Sequence, residues 1–298
     1  MKEKDAYTYK KMQADFSRLE REFPFIKTGE IGKSIWGRPI KYLKIGNGKR
    51  KILFVSAHHG MEHLTSKLVL TFARRYLFAF KEGGQIGGKS ADELYDNSSL
   101  YIVPMLNPDG VDLSVFGLSA SDITNEEYLR KINPSGDFSF WQANANGVDL
   151  NHNYNALFKK SKKSEKDNNI EGPGPTRFSG RFPESEPESF ALASFTRKEN
   201  FDMVMAFHSQ GKVIYYDFNG KEPKESLKIA KMFEEISEYK IEKPEKAASF
   251  GGFKDWFIDY FKRSGFTIEI GEGKNPLPLS DLEKVYSETL GIMISVLL

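Results

Sequence analysis

Two residues that could bind a metal ion follow an apolar run near the N-terminal third of the chain. The stretch KILFVSAHHGMEH, residues 51–63, begins with a short apolar block that is typical of a strand buried on both faces. His59 and Glu62 come next, and this His-x-x-Glu spacing brings an imidazole and a carboxylate within reach of one ion. Taken alone, the four-residue match is common by chance, and a polar turn between strand and helix is the simpler interpretation.

Residues 59–63 also spell His-x-x-Glu-His, the signature of inverted zincins. That signature needs both histidines one turn apart on a helix. Gly60 interrupts such a helix, and His59 follows the strand directly, so we predict that His63 is an early helical residue that points elsewhere. We also predict that His58 is a neighbour of the site and not a ligand.

A second apolar strand ends at a histidine. Residues 201–207, FDMVMAF, are followed by His208, and parallel strands of one sheet end at the same edge. His59, Glu62 and His208 would then form a His₂Glu set that leaves a fourth position for water, as catalytic zinc requires. The chain has no cysteine, so any zinc site must use histidine, aspartate or glutamate.

A third apolar strand contains an acid. Glu269 lies in residues 266–270, FTIEI, where a carboxylate is costly unless it has a partner or a role. Glu269 is therefore a candidate general base for a zinc-activated water. The alternative is an edge-strand residue that faces solvent.

The order of predicted elements indicates an α/β fold. Apolar residues recur at helical spacing from Tyr9 to Phe23, and this pattern predicts an N-terminal helix, within residues 1–24, that docks on the core. Residues 30–46 predict a hairpin, and residues 64–80 predict the helix after the central strand. We predict a single domain over residues 1–298, with a mixed twisted β-sheet flanked by helices.

Three further segments carry local signals. Asn107 to Gly110, NPDG, is a strong turn signal after a predicted strand. Residues 111–145 predict a long irregular connection, and connections of that length tend to be functional. Ser280 and Glu283 predict a capping box for the last helix.

The charge balance narrows the possible partners. Lysine and arginine total 43 against 41 acidic residues, so the net charge of +2 gives no reason to expect nucleic acid or an anionic membrane as partner. The N-terminal stretch has charges where a signal peptide has its apolar core, and residues 290–298 are too few to span a bilayer. We therefore expect a cytoplasmic protein, and no pattern indicates an obligate protein partner.

Six segments occur in a defined order along the chain. They are HGME (59–62), NPDG (107–110), GVDLN (147–151), HSQG (208–211), GGFKDW (251–256) and FTIEIG (266–271). In order and spacing they resemble the zinc metallocarboxypeptidase family, and three of them are most similar to the bacterial γ-D-glutamyl-L-diamino acid peptidases that cut cell-wall peptides. The resemblance implies a carboxypeptidase-like fold, one Zn²⁺ per chain, and hydrolysis of an amide bond in a peptide, with murein peptides as the candidate substrates.

The resemblance also implies roles for the residues found above. His59, Glu62 and His208 match the zinc ligands, and Glu269 matches the catalytic glutamate that acts as general base. Asp149 matches the acid that orients the first histidine.

Two further residues are matched to the substrate. Asn151 matches a contact to the substrate carboxylate. Arg130 is the candidate for the arginine that polarises the scissile carbonyl and holds the oxyanion, and the alternative for it is an ordinary surface charge.

Departures from the family pattern point to an unusual substrate pocket. His152 stands where the family has an arginine that clamps the substrate's terminal carboxylate, and imidazole has no comparable fork of donors. The family's tyrosine falls at Ala247 and an arginine falls at Met61. A γ-D-glutamyl-diaminopimelate substrate suits these changes, with Arg177 or Arg181 as anchors. An ordinary metallocarboxypeptidase, a deacylase of the same fold and a non-catalytic zinc-containing peptide-binding protein remain alternatives.

Overall fold

A mixed sheet forms the centre of the computed structural model, which describes residues 3–120, 123–244 and 250–298. The spatial order of its eight strands is β1 (Lys27–Lys33), β2 (Pro39–Ile45), β6 (Ser98–Val103), β3 (Arg50–Ser56), β7 (Met203–His208), β10 (Gly265–Glu269), β8 (Val213–Tyr215) and β9 (Lys240–Ile241). The four strands β6, β3, β7 and β10 run parallel, while β2 and β8 flank them in the antiparallel direction. A separate two-stranded ribbon pairs β4 (Gln85–Ile86) with β5 (Lys89–Ser90).

Helices cover both faces of the sheet. They are α1 (Tyr9–Glu22), α2 (Leu64–Lys81), α3 (Ala91–Asn97), α4 (Pro108–Phe116), α5 (Ile123–Ile132), α6 (Phe158–Asp167), α7 (Pro187–Glu199), α8 (Lys224–Ile236), α9 (Phe253–Phe261) and α10 (Leu282–Ser295). None of the helices in the described ranges combines the length and the apolar character needed to cross a bilayer.

The central strands are apolar because both of their faces are buried. Alternate residues of β3 point to opposite sides, so Phe54 joins the core formed with α1, α2, α8 and α10. Leu53 and Val55 join the core formed with α7 and α9. The predicted mixed sheet between helices is confirmed, and its parallel centre explains why these strands lack a polar face.

The N-terminal helix and the hairpin form as the sequence predicts. Helix α1 buries Met12, Phe16 and Leu19, and Phe23 follows its last residue. Strands β1 and β2 pair in the antiparallel direction, with the turn between residues 33 and 39.

The structure corrects the prediction of a turn and an irregular connection after β6. Pro108 begins α4, and the side chain of Asn107 accepts a hydrogen bond from the Gly110 N–H at 2.9 Å. Asparagine at the cap and proline at the first helical position are start signals, so NPDG opens a helix where the sequence predicts only a turn. A second helix, α5, interrupts the connection predicted as irregular.

The predicted capping box is also wrong. Helix α10 begins at Leu282, and no side chain caps it. A short 3₁₀ turn, Leu279–Asp281, precedes it and holds Ser280, whose hydroxyl contacts Asp281 instead.

Candidate active site

Three parallel strands deliver the predicted residues to one edge of the sheet. His208 and Glu269 are the last residues of β7 and β10, and they are paired in register across the two strands. His59 lies three residues beyond the end of β3, which pairs with β7 on its other side. These residues lie at one edge of the sheet because parallel strands end together, as the sequence analysis predicts.

A tightly held loop carries His59 and Glu62. The N–H of Gly60 donates to the Gln142 carbonyl at 3.0 Å, and that of Met61 donates to the Trp141 carbonyl at 2.9 Å. A Cβ at Gly60 would lie 2.2 Å from the Gly110 carbonyl oxygen, so only glycine permits this close approach. The loop is fixed by the segments on both sides of it.

Three side chains converge on one point, as a metal site requires. His59 Nδ1 lies 2.8 Å from Glu62 Oε1, and His208 Nδ1 lies 2.9 Å from Glu62 Oε2. The two Nδ1 atoms are 3.3 Å apart, and one ligand atom from each residue falls within 4.8 Å of the others. Two imidazole nitrogens and a carboxylate are donors that zinc accepts, so this trio could hold the ion.

Asp149 sets the orientation of His59. Its Oδ1 lies 3.1 Å from His59 Nε2, and a carboxylate only accepts, so the neutral ring carries its proton there and offers Nδ1 to the shared point. Asp149 accepts in turn from the backbone N–H groups of Asn151 and Arg177, at 3.1 and 3.0 Å. This is the geometry expected of an acid that positions a metal ligand.

Neighbouring histidines keep the buried carboxylates of Glu62 and Asp149 ionised. Burial opposes ionisation of Glu62, but the adjacent His59 and His208 lower its pKa to about 2. Burial likewise opposes ionisation of Asp149, yet His59 and His152 hold its pKa well below the ordinary value. Both side chains are therefore carboxylates over the physiological range.

Glu269 faces the metal-binding trio from the neighbouring strand. Its side chain is half-buried in the wall of a cleft of about 570 Å³, which also receives His59. Burial and the negative charge of Glu62 raise the pKa of Glu269, while His59 opposes that rise. In the described part of the chain, no hydrogen bond or ion pair engages this carboxylate.

Asn151 and His152 lie in the same cleft, on the short 3₁₀ helix Leu150–His152. Asn151 Oδ1 accepts from the Phe253 N–H at 3.1 Å, and in the described ranges no hydrogen bond engages its amide Nδ2. His152 Nδ1 donates to the Phe250 carbonyl at 2.8 Å, so one ring nitrogen remains. A single nitrogen cannot clamp a carboxylate as an arginine fork does.

The structure does not bring Arg130 to the cleft. Its side chain is exposed on α5, where Nε donates to Glu126 at 3.0 Å. The surface alternative fits this geometry, because an i,i+4 ion pair on a solvated helix face is ordinary. Of the two other arginines, Arg177 lines the cleft and Arg181 does not. Ala247, the position of the family's tyrosine, lies outside the described residues.

The other two histidines of this region lie where the sequence predicts. His63 precedes α2, and its Nδ1 accepts from the Tyr7 N–H at 3.3 Å, away from the metal-binding trio. His58 is buried, with its ring 5.3 Å from that of His208 and its Nε2 3.3 Å from the Tyr154 hydroxyl. Neither belongs to the converging group.

Several polar residues of the cleft were missed by the sequence reasoning: Gln142, Thr176, Tyr215, Lys254, Asp255 and Thr267. For most of them no pattern in the sequence distinguishes them from other loop or strand residues. Lys254 and Asp255 did carry a signal, since two adjacent charges between large aromatic residues interrupt the start of an apolar helix.

Comparisons with known proteins identify the family and the fold. A family model described as zinc carboxypeptidase matches residues 12–291. The "Gamma-D-glutamyl-L-diamino acid endopeptidase 1" of Lysinibacillus sphaericus is 39% identical over 289 residues, which are 97% of this chain and 72% of that protein.

Two solved structures share the fold. The carboxypeptidase A of Helicoverpa armigera has a TM-score of 0.74 at 22% identity, over 98% of this chain and 73% of that one. Bovine thrombin-activatable fibrinolysis inhibitor, solved with a tick carboxypeptidase inhibitor, has a TM-score of 0.74 at 20% identity, over 98% and 96%.

Proposed function

The chain belongs to the zinc carboxypeptidase family and is a metallopeptidase, and from that premise we propose that it hydrolyses γ-D-glutamyl bonds to diamino acids, with Glu269 as the general base. The similarity to an endopeptidase of that name supports the substrate class. One observation supports the role of Glu269 as the general base. Glu269 stands in register beside His208, in the wall of the cleft, and within residues 3–120, 123–244 and 250–298 its carboxylate has no hydrogen-bond or ion-pair partner.

His59, Glu62 and His208 would hold the zinc, through the two Nδ1 atoms and the carboxylate that already converge. Bound there, zinc supplies a Lewis acid that polarises a carbonyl and makes water more acidic. Asp149 holds the proton of His59 on Nε2, so the lone pair of Nδ1 stays directed at the ion.

Glu269 would take a proton from the attacking water and return it to the departing amine nitrogen. Its carboxylate, which no group of the described residues engages, is available for both transfers, and its position beside His208 places it next to His59 and Glu62. A positioned carboxylate of this kind contributes about 10²- to 10⁴-fold to the rate of such reactions.

Asn151 and Arg177 would orient the substrate. The side-chain oxygen of Asn151 accepts from the Phe253 N–H, so its amide Nδ2 would be the group that donates to the substrate. Arg177 lines the cleft, and its backbone N–H is fixed to Asp149 at 3.0 Å. A guanidinium can bind a carboxylate with two parallel hydrogen bonds, which His152 cannot do. We assign Arg177 this anchoring role and give Arg130 none.

Kinetics on two substrates test the proposal. The zinc-loaded protein is assayed with a γ-D-glutamyl-diaminopimelate dipeptide and with an α-linked peptide that has an ordinary C-terminal residue. We expect kcat/KM to be about 100-fold higher or more for the γ-linked substrate. A preference for the α-linked peptide would favour an ordinary carboxypeptidase, and binding of either peptide without hydrolysis would favour a non-catalytic role.

A glutamate variant tests the assignment of the base. Glu269→Gln should lower kcat by about 10²- to 10⁴-fold while the zinc content stays at that of the parent protein. Glu272→Gln is the matched control, because Glu272 lies three residues later, is 60% exposed and forms ion pairs with Lys212 and Lys284 away from the cleft. Full activity of the Glu269→Gln protein would overturn the assignment.

A further inference from the structure

The segments that follow β7 and β10 are bonded to each other beside the active site. Strand β7 ends at His208 and β10 ends at Glu269. Directly after these residues, the N–H of Ile270 donates to the His208 carbonyl at 2.8 Å. The N–H of Gly211 donates to the Gly271 carbonyl at 2.9 Å. The backbone beyond Glu269 is therefore joined to the backbone beyond His208.

The position of the Glu269 side chain depends on this backbone. The carboxylate of Glu62 contacts two histidines, and that of Asp149 accepts from two backbone N–H groups. For Glu269, by contrast, the described residues supply no hydrogen bond or ion pair that would hold the carboxylate. Its place is set by the strand that carries it and by the turn that follows. A displacement of about 1 Å at a reacting group can reduce the rate about 100-fold, so this turn matters for catalysis.

A buried tyrosine outside both segments holds the turn. Gly271 is buried and has a φ of 69°, a left-handed conformation that takes the chain out of β10. Its N–H donates to the hydroxyl of Tyr239 at 3.0 Å. Tyr239 is buried between the end of α8 and the start of β9. This bond thus fastens the turn after Glu269 to a different part of the fold.

A glutamate orients the tyrosine hydroxyl. The hydroxyl of Tyr239 donates to Glu288 Oε2 at 3.4 Å. Because a carboxylate only accepts, the hydroxyl proton is directed to Glu288 and the oxygen lone pairs remain for the Gly271 N–H. The other carboxylate oxygen of Glu288 pairs at 2.9 Å with Nζ of Lys212, the residue that follows Gly211. The contacts therefore lead from the turn after β10 back to the segment after β7.

We propose that Tyr239 is a positioning residue for the general base. Its hydroxyl, oriented by Glu288, fixes the backbone at Gly271 and thereby the place of the Glu269 carboxylate beside His208. This role rests on the proposed function, in which Glu269 takes the proton of the attacking water. Strand β7 is also paired with β3 on its other side, so His208 stays in place when the turn after β10 shifts. Loss of the hydroxyl should thus slow the chemical step and leave zinc binding intact.

A tyrosine variant tests this role through separate kinetic constants. Tyr239→Phe should lower kcat about 10-fold, while KM and the affinity for zinc stay within about 2-fold of the parent protein. The assay uses whichever of the γ-linked and α-linked peptides the parent cleaves better, and rates are expressed per bound zinc so that unfolded protein does not count. If Tyr239 serves stability alone, the variant unfolds more easily but keeps its kcat per zinc, and that result would overturn the proposal.

A second variant shows whether Tyr239 acts through Glu269. In a Glu269→Gln protein, the further change Tyr239→Phe should alter kcat less than about 2-fold, because the group that it positions is no longer a base. An equal loss of kcat in both backgrounds would overturn the positioning role. Full activity of Glu269→Gln alone would overturn the general base and with it this role of Tyr239, so the two failures are seen in different proteins.

The matched control is Tyr101→Phe, which removes a hydroxyl from a similar trio. Tyr101 is a buried residue of β6, and its hydroxyl donates to Glu199 Oε2 at 3.1 Å. That carboxylate also pairs with a lysine, Lys51, at 2.9 Å. Lys51 is the second residue of β3, at the end opposite to the active site. The kcat per zinc should stay within about 2-fold of the parent, and a loss as large as that of Tyr239→Phe would show that the effect is not specific.

Hydrogen exchange tests the contact itself, without any substrate. In the zinc-loaded protein, amide exchange measured by NMR should be at least about 10-fold faster at Gly271 in Tyr239→Phe than in the parent, because the N–H loses its acceptor. Tyr101→Phe should leave that rate unchanged. An unchanged rate at Gly271 in Tyr239→Phe would show that the tyrosine does not hold the turn, and it would overturn the proposal whichever peptide the protein cleaves.

Discussion

Two groups are built around buried acidic residues, and in only one of them do the side chains converge on a point where a metal ion could bind. The first group, the candidate metal centre, contains Glu62 and, beside its His59, Asp149. The second group, which we call the hairpin cluster, consists of Arg38, Asp109, Asp112 and Glu188. Gly60, in the loop that carries His59 and Glu62, packs so closely on Gly110, beside Asp109, that a Cβ at Gly60 would lie 2.2 Å from the Gly110 carbonyl oxygen.

The carboxylates of the hairpin cluster are satisfied from within the protein. Asp109 accepts from the Ser34 hydroxyl and the Trp36 N–H, both at 2.9 Å. Arg38 pairs with Asp112 at 2.9 Å, and Glu188 accepts from the Ile35 N–H at 3.1 Å. The cluster thus fastens the turn of the first hairpin to α4 and α7.

The metal centre differs in two respects. Its Glu62 carboxylate converges with His59 and His208 on one point instead of facing separate N–H groups, and its neighbour Glu269 opens on a cleft. Burial of an acid is therefore no guide to catalysis by itself. The NPDG motif illustrates this, because its Asp109 belongs to the hairpin cluster although the motif helps to identify the family.

The largest effect should follow from removing a ligand. His208→Ala takes one of three converging donors, so we expect loss of bound zinc and of peptidase activity to background, with the protein still folded. Metal analysis and kcat/KM measure the two losses. His63→Gln is the control, since His63 is buried outside the converging group. If the His208→Ala protein still binds zinc and is active, His208 is not a zinc ligand and the converging group is not the metal site.

A smaller effect is expected from the acid that orients His59. Asp149→Asn replaces a charged acceptor by a neutral one, and zinc affinity should fall about 10- to 100-fold. Titration against a competing chelator gives the affinity. If zinc binds as tightly as in the parent protein, Asp149 has a structural role like that of the acids in the hairpin cluster and does not position a ligand.

The hairpin cluster should respond in stability and not in activity. Asp109→Ala leaves the Ser34 hydroxyl and the Trp36 N–H without their acceptor and removes one of the two acidic partners of Arg38, so the free energy of unfolding should fall by about 1–3 kcal/mol. Denaturant unfolding measures the loss. The kcat/KM of the folded, zinc-loaded variant should stay within about 2-fold of the parent, and a larger change would couple the two groups.

The finest distinction is a dependence of stability on pH. Burial, followed by the negative charge of Asp109, raises the pKa of Glu188 from 4.5 to about 8. Between these values the folded state keeps a proton that the unfolded state releases, so this group lowers stability as pH rises through that window. Glu188→Gln cannot titrate, and its stability should therefore decline less between pH 5 and 8, by at most about 1.4 kcal/mol per pH unit. Unfolding measured at three pH values gives both slopes, and identical slopes would contradict the prediction.

Local pattern was sufficient for the strands and for the residues at their ends. The apolar blocks of β3, β7 and β10 are continuous because both of their faces are buried, and a buried strand can be recognised without knowing its neighbours. The rule that parallel strands end together then brings His59, Glu62, His208 and Glu269 to one edge. His63 could be excluded as a ligand from local pattern as well, because Gly60 interrupts the helix that would have to carry both His59 and His63.

Residues in the connections between elements could not be placed in this way. The chain from the end of β6 to the start of β7 carries Arg130 and Arg177, and nothing periodic in it tells which arginine reaches the cleft. The fold decides, because α5 directs Arg130 to Glu126 on the surface while Asp149 binds the backbone of Arg177. These contacts depend on chain segments that meet only after folding.

The sequence by itself determined the sheet, the edge where its parallel strands end, and the four side chains gathered there, because these follow from the period of a strand and the direction of its neighbours. Only the tertiary structure decided that Asp109 fastens a hairpin and that Arg177 and not Arg130 borders the cleft. The physical reason is that each of these depends on hydrogen bonds and packing between segments far apart in the chain, which leave no repeat in the sequence.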